Sequence, residues 1–370
     1  MLTRCKLACL LISLILLGGC WDAREIEDRV LVAAMAVDRH PKGVEVSVQV
    51  PIPLKIVGSG GAAGEGGQES VQVFSGTGKT IYEAANQIQF QVNRRLFFGS
   101  NRLLLVGEGL AREGLSPYLD AFKRHFQIRR KLWTVVIKGK AKKALEINPK
   151  LEQVPIEYVI TMLETGISDG YFPKVGLNDF YVALSNPSKQ AVLNYLDPES
   201  VRWIGTAIFQ QDRMVGTLNS QESLPLVHIR DKQVGEPLSV PCGRSGKIVF
   251  TPDKIRRHIH VYQKKGPPTI QVTLDLKGEI VEKTCSDDLR KKSVRNRLDR
   301  YLKRAYQKKA EHVSQLLQRK MNSDAYQLGD TIRAYHPKLW GKIDWDKEFP
   351  HAIVKIRYNV KALRNGLYYK

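Results

Sequence analysis

The sequence predicts an α+β protein of more than one domain, in which mixed and antiparallel sheets carry packed helices and a long basic helix lies in the C-terminal domain. Three observations lead there. Between residues 71 and 147 strand-like and helix-like segments alternate. Two stretches, one at each end of the first half, have the turn chemistry and alternation of hairpins. From about Asp287 to Met321, apolar residues return at helical spacing inside a strongly basic background.

In chain order, "RVLVAAMAVDRHPKGVEVSVQVPIP" (29–53) is a hairpin whose second arm sets Val44, Val46, Val48 and Val50 on one face, with "HPKG" as its turn. The glycine-rich insert over 58–70 has too little bulk to pack and reads as a flexible loop. "VQVF" is a strand, followed by a helix from about Lys79 to Arg94 with Ile81, Ala84, Ala85 and Ile88 on one face. "NRLLLVG" is a strand, "GLSPYLDAFKRH" a helix, "KLWTVVIKG" a strand and "AKKALEI" a short helix. Residues 151–200 read as mainly helical, broken at Pro155, Gly166, Pro173 and Pro187. "RWIGTAIFQQDRMVGTLN" is a hairpin turning at Gln211-Asp212-Arg213, and more strands run through "QVTLDLKGEIVEK" to the basic helix. A final strand lies in "HAIVKIRYNVKALRNG". The expected division is a signal peptide over 1–19, an N-terminal α+β region over 20–200 with 151–200 as its second subdomain, and a C-terminal α+β domain over 201–370.

A chain of 370 residues has room for two or three domains. Its 43% hydrophobic and 26% charged residues are ordinary for a folded protein. The charge balance, 58 basic against 37 acidic residues, points to a polyanionic neighbour: nucleic acid, anionic lipid or acidic wall polymer. The N-terminus narrows this choice. Arg4 and Lys6 precede an apolar run from Leu7 to Leu17, too short to span a bilayer as a permanent helix and right for a secretory signal. It closes on "LGGC", which resembles a lipobox, making Cys20 the acylated first residue of the mature chain. Two or more acyl chains give stable anchoring. Only "WDAREIED" separates Cys20 from the first strand, so the folded part lies close against the membrane outside the cytoplasm. Cys5 and Cys9 leave with the signal, and Cys242 and Cys285 can pair, although two cysteines make no framework.

"GTGKT" (76–80) has the lysine and threonine of a phosphate-binding loop at Lys79 and Thr80, but Val73 stands where the leading glycine belongs. Asp38 is a superficial candidate for the carboxylate partner of a magnesium ion, and a turn with Thr77 or Thr80 capping the helix explains the stretch better. His258 and His260 share a strand face without a third ligand nearby, as a solvated sheet face would. Glu25, Glu27 and Asp28 read as a helix start. No nucleophile–base arrangement, metal set or cofactor motif is evident, so the chain is expected not to be an enzyme. The basic helix carries Arg290, Lys291, Lys292, Arg297, Arg300, Lys303, Arg304 and Lys308, with Leu298, Leu302, Ala305, Val313, Leu316 and Leu317 as its apolar stripe. It reads either as a packed helix with a solvated back or as a surface for anionic headgroups or an acidic partner. An exported lipoprotein does not meet the genome, which excludes nucleic acid.

"GCWDAREIEDRVLVAAMAVD" resembles the opening of the Ger(x)C lipoproteins, the C subunits of nutrient germinant receptors in endospore-forming bacteria. The resemblance continues through "GKTIYEAANQIQFQVNRRLFFGSNRLLLVGEGLAREGLSPYLDAFKR", "LNDFYVALSNP", "GTAIFQQDRMVGTLN" and "YHPKLWGKIDWDKEFPHAIVKIRYNVKALRNGLYYK". It implies a lipoprotein on the outer face of the spore inner membrane, lipidated at Cys20. Its implied partners are two multi-pass membrane subunits, of A and B type, and the implied role is assembly and signal coupling in germination. The main alternative is an exported lipoprotein that itself captures a small nutrient or wall fragment.

Overall fold

Strands covered on both faces have no polar side, so they read as unbroken apolar runs. Three such runs in the N-terminal half become neighbours in one sheet. The computed structural model describes residues 25–52, 70–124, 127–147, 152, 154–243, 245–263 and 266–364. Cys20 and the 58–69 part of the glycine-rich insert lie outside them.

The first sheet has eight strands. At its centre β2 (Ala34–His40), β6 (Leu103–Gly107), β7 (Trp133–Ile137) and β8 (Val192–Leu196) run parallel. The antiparallel strands β3 (Gly43–Pro51) and β4 (Val71–Gly78) extend one side, and the hairpin β9 (Trp203–Gln210) and β10 (Arg213–Asn219) extends the other. A small parallel pair, β1 (Arg29–Leu31) with β5 (Arg95–Phe97), stands apart from it. One face buries Met35, Leu104, Val136 and Leu193 under helices α1 (Ile81–Gln89), α2 (Glu108–Glu113), α3 (Ser116–Arg124) and α6 (Leu177–Leu184). The other buries Ala36, Leu105 and Val135 under α4 (Lys142–Leu145) and α5 (Pro155–Ser168).

Two expectations change here. The apolar run from Val30 to Val37 is not one strand: it breaks at Val32–Ala33 between β1 and β2. The segment 151–200 contains β8 as well as helices; its residues are all buried, so no alternation betrays it. The hairpin at Gln211-Asp212 forms as expected, and it adds to the first sheet through β8–β9 pairing across residues 200–201.

The second sheet holds β11 (Leu238–Cys242), β12 (Gly246–Tyr262), β13 (Thr269–Lys283) and β14 (Ile353–Arg364). Between β10 and β11 lies α7 (Ser220–Leu226), continued by a π-helical turn, Val227–Asp231. The basic helix α8 (Lys292–Gln315) runs on as a π-helical segment, Leu316–Met321, and links β13 to its parallel neighbour β14. It starts later than expected, because residues 284–291 form a loop ahead of it. Leu298, Leu302, Tyr306, Ala310, Val313 and Leu317 face Val272, Leu274 and Tyr358 in one core. The short helices α9 (Leu328–Tyr335), α10 (Pro337–Trp340) and α11 (Trp345–Glu348) close its end.

A polar seam joins the halves. Ser188 Oγ donates to Asp330 Oδ1 (3.1 Å), Gln190 Nε2 to Asp346 Oδ1 (2.8 Å) and Ser323 Oγ to the Phe209 carbonyl (2.6 Å). Beside it, Asp324 Oδ2 accepts from Gly329 N (2.7 Å) and Trp345 Nε1 (2.8 Å), while its Oδ1 is buried with no hydrogen-bond partner among the described residues. Burial pushes this carboxyl up to about 6. In the second core, His228 is fully buried. Its Nε2 meets the Val234 carbonyl at 2.8 Å, so that nitrogen carries the proton, and Nδ1 accepts from the Tyr358 hydroxyl at 3.1 Å. Burial lowers its pKa to about 4.

These two groups tilt stability in opposite directions. His228 is neutral when folded, so the unfolded chain takes up more protons as pH falls from 6.5 to about 4, and stability is lost over that window. Asp324 binds its proton more tightly when folded, so stability is gained as pH falls from about 6 to 3.8. Each shift corresponds to roughly 3 kcal/mol, and in the native chain they largely cancel. Asp324→Asn keeps one acceptor oxygen and removes the titration. Its stability relative to the native chain is expected to be on the order of 3 kcal/mol greater at pH 7 than at pH 4. Denaturant melts at both pH values check this, and an unchanged difference contradicts it.

Candidate interaction surfaces

The "GTGKT" stretch is a packed junction. Thr80 Oγ1 caps α1 by accepting from Glu83 N (3.1 Å), and the Glu83 carboxylate accepts from Lys79 N (2.8 Å). Thr77 N donates to Gln87 Oε1 (2.9 Å), so amides that a phosphate would need are already engaged. A Cβ on Gly76 would lie 2.2 Å from the Ala84 carbonyl oxygen, so glycine is what lets α1 cross β4 this closely. Lys79 is exposed. Asp38, 3% exposed, accepts from Ala141 N (2.7 Å) and Lys142 N (2.9 Å) and caps α4 from a distant strand. Burial raises its pKa against the pull of those two amides.

Parallel sheets usually hold ligands beyond the carboxyl ends of their strands. Here that edge is occupied by groups that satisfy one another. Glu108 accepts from the Tyr195 hydroxyl (2.9 Å) and from Arg112 (2.7 Å), which keeps its carboxyl low although burial opposes it. A cleft of about 270 Å³ lies between β4 and the α4–α5 region, lined by Ser70, Val73, Leu145, Ile147 and Pro155.

The remaining singled-out residues lie far apart. His258 and His260 are exposed on β12, with His258 Nε2 3.8 Å from an Asp275 oxygen. Glu25, Glu27 and Asp28 are exposed around a 3₁₀ turn ahead of β1. Cys242 and Cys285 are bonded, Cα atoms 5.8 Å apart, which ties the end of β11 to the approach of α8. Both sulfurs are taken up in that bond, so the nearby Asp287 completes no metal set with them.

The basic residues of the helical region divide into two groups. Arg290 pairs with Asp288 (3.0 Å) and Arg297 with Asp287 (2.5 Å), around the loop where α8 begins, and Lys291 is its N-terminal flank. Lys292, Arg300, Lys303, Arg304 and Lys308 are exposed and have no ion pair among the described residues. Arg300, Arg304 and Lys308 follow each other at four-residue spacing, which places them on one side of the helix. Lys309 points the other way, to Gln221, and His312 reaches Glu222 (3.2 Å), so that flank is tied to α7. Burial lowers the Lys309 pKa. Among the described residues no helix is long and apolar enough to cross a membrane.

Comparison with known proteins gives one consistent picture. The model of the spore germination protein N-terminal domain matches residues 22–198. That of the spore germination B3/GerAC-like C-terminal region matches residues 204–366. Spore germination protein KC of Bacillus subtilis (strain 168) is 26% identical, with 99% of this chain and 97% of that one covered. Spore germination protein B3 of the same organism is 24% identical, covering 99% of each. The crystal structure of the GerBC protein superimposes with a TM-score of 0.60 at 18% identity, over 89% of this chain and 97% of that chain, and so shares the fold.

Proposed function

Because this chain belongs to the GerAC family of spore germination proteins, we propose that it is the non-catalytic C-type lipoprotein subunit of a nutrient germinant receptor, lipid-anchored at Cys20 on the outer face of the spore inner membrane. The observation that carries this is the match of both family regions across almost the whole chain, directly behind the Leu7–Leu17 apolar run and the "LGGC" junction. Residues 1–19 act as that signal peptide. The partners are the two multi-pass subunits, A-type and B-type, and the chain acts in assembling them and coupling their signal. The hydrogen-bonded seam between the halves supports a coupling role, since a displacement of one half is felt by the other through Gln190, Ser188 and Ser323.

The unpaired side of α8 is the surface we assign to an acidic loop of a membrane subunit or to anionic headgroups. Five exposed cations without ion pairs among the described residues repel one another, and a negative partner relieves that repulsion. Arg300→Glu, Lys303→Glu and Arg304→Glu together are expected to change stability by less than about 1 kcal/mol, because exposed positions rarely matter more. Retention in the membrane fraction stays unchanged, while the nutrient-triggered fall in spore optical density is lost or strongly slowed. A normal germination response in this variant contradicts the assignment.

A further inference from the structure

The anchor end of the chain has a surface of its own. The parallel strands β2, β6 and β7 begin at one end of the first sheet, with Ala34 opposite Leu103 and Leu103 opposite Trp133. Arg102 sits in this line, its amide donating to the Ala33 carbonyl (3.2 Å) and its carbonyl accepting from Trp133 N (3.0 Å). The chain enters this same end through β1, whose partner β5 starts at Arg95. Only four residues lie between Cys20 and the first described residue, Glu25, a reach of roughly 17 Å even when fully extended.

Two separate stretches of sequence deliver cations here. Arg94 precedes β5 and Arg95 opens it, Arg129, Arg130 and Lys131 precede β7, and Gln127 Oε1, which accepts from Phe98 N (3.3 Å), ties the two segments together. All five cations are exposed and have no ion pair among the described residues. The neighbouring acids are mostly engaged: Asp120 pairs with Arg124, and Glu157 with Arg102. Glu25, Glu27 and Asp28, on the turn ahead of β1, leave the cations in excess. Beside them stands Phe90, 90% exposed, at the end of α1. Its loop is held by the side chain of Gln89, which donates to the Arg94 carbonyl (2.9 Å) and accepts from Leu96 N (2.9 Å). An ordered loop that presents a phenylalanine to solvent among arginines has the composition of an interfacial membrane contact.

We propose that this end of the molecule rests on the anionic bilayer, with Phe90 entering the headgroup–acyl boundary and Arg94, Arg95, Arg129, Arg130 and Lys131 against lipid phosphates. The contact rests on the anchoring reading for its choice of partner, and it orients the protein with the parallel strands rising from the membrane. A lipid anchor alone leaves that orientation free.

The full-length Cys20→Ala chain separates the two ideas, because it cannot be acylated. Vesicles of phosphatidylcholine with about one-third phosphatidylglycerol are the probe. In Cys20→Ala/Phe90→Trp, brominated lipid is expected to quench an added indole signal relative to the Cys20→Ala parent. Binding should weaken with salt, and Arg94→Gln with Arg95→Gln should reduce partitioning by roughly thirtyfold. Lys254→Gln with Arg256→Gln, two exposed cations on β12 away from this end, is the control and should leave quenching intact. An unquenched indole overturns the proposal whether or not the acylated chain stays on spore membranes, and so does a loss of quenching that follows the control pair instead.

Discussion

Spores carrying Cys20→Ala are expected to lose the protein from salt-washed membranes and to respond to nutrient at a small fraction of the normal rate. On the proposed reading, a basic start, an apolar run from Leu7 to Leu17 and the "LGGC" junction make Cys20 the acylated first residue. Two or more acyl chains bury enough CH₂ groups for lasting attachment, whereas charge contacts at the anchor end are weakened by salt over a screening length of about 8–10 Å. Without the lipid, the remaining contacts are reversible and the local concentration beside the membrane subunits falls. Immunodetection in membrane and soluble fractions, with germination followed by optical density, reads both effects. Normal retention and normal germination in this variant contradict the anchoring.

Asp38→Ala is expected to lower stability by about 2–3 kcal/mol, and Lys79→Ala by less than about 0.5 kcal/mol. Asp38 lies near the end of β2, and its carboxylate answers the amides of Ala141 and Lys142 at the start of α4. Alanine leaves the buried Ala141 amide and the half-buried Lys142 amide unpaired, and opens a gap beside Gly107, where an added Cβ would lie 2.0 Å from Asp38 Oδ1. Part of this cost is offset, since burial already raises the carboxyl's pKa and so makes its ionised form less favourable. Lys79 is exposed, and its side chain has no hydrogen bond or ion pair among the described residues. Thermal melts of the two variants check the contrast. A loss of germination with Lys79→Ala at unchanged stability would instead restore a binding role to the "GTGKT" loop.

The sequence was readable wherever a local rule determined the outcome. The β2–β3 hairpin turns at "HPKG" because Gly43 takes a φ of 124°. The cap at Thr80 follows from residue type, and the stripe of α8 from spacing, with Tyr306 and Ala310 as additional buried members. Non-local partnerships left no such trace. That β9 and β10 pair onto the first sheet depends on β8, a fully buried strand without alternation inside a helix-rich stretch. The bond between Cys242 and Cys285 depends on β12 and β13 returning the chain to the end of β11. Of the candidate surfaces, the α8 cations were visible because they are consecutive in the chain. The anchor-end cluster was not, since its parts come from 90–95 and 129–131 and meet only through the parallel order of β2, β6 and β7.

The central claim is that this family member works beside two multi-pass membrane proteins. Cross-linking in intact spore membranes, followed by purification through a tag on this chain, tests it most directly. The account predicts that two multi-pass subunits co-purify, with cross-links on the exposed lysines of α8, Lys303 and Lys308 among them. Recovery of this chain from the spore inner membrane with no multi-pass partner at any cross-linker concentration would contradict it.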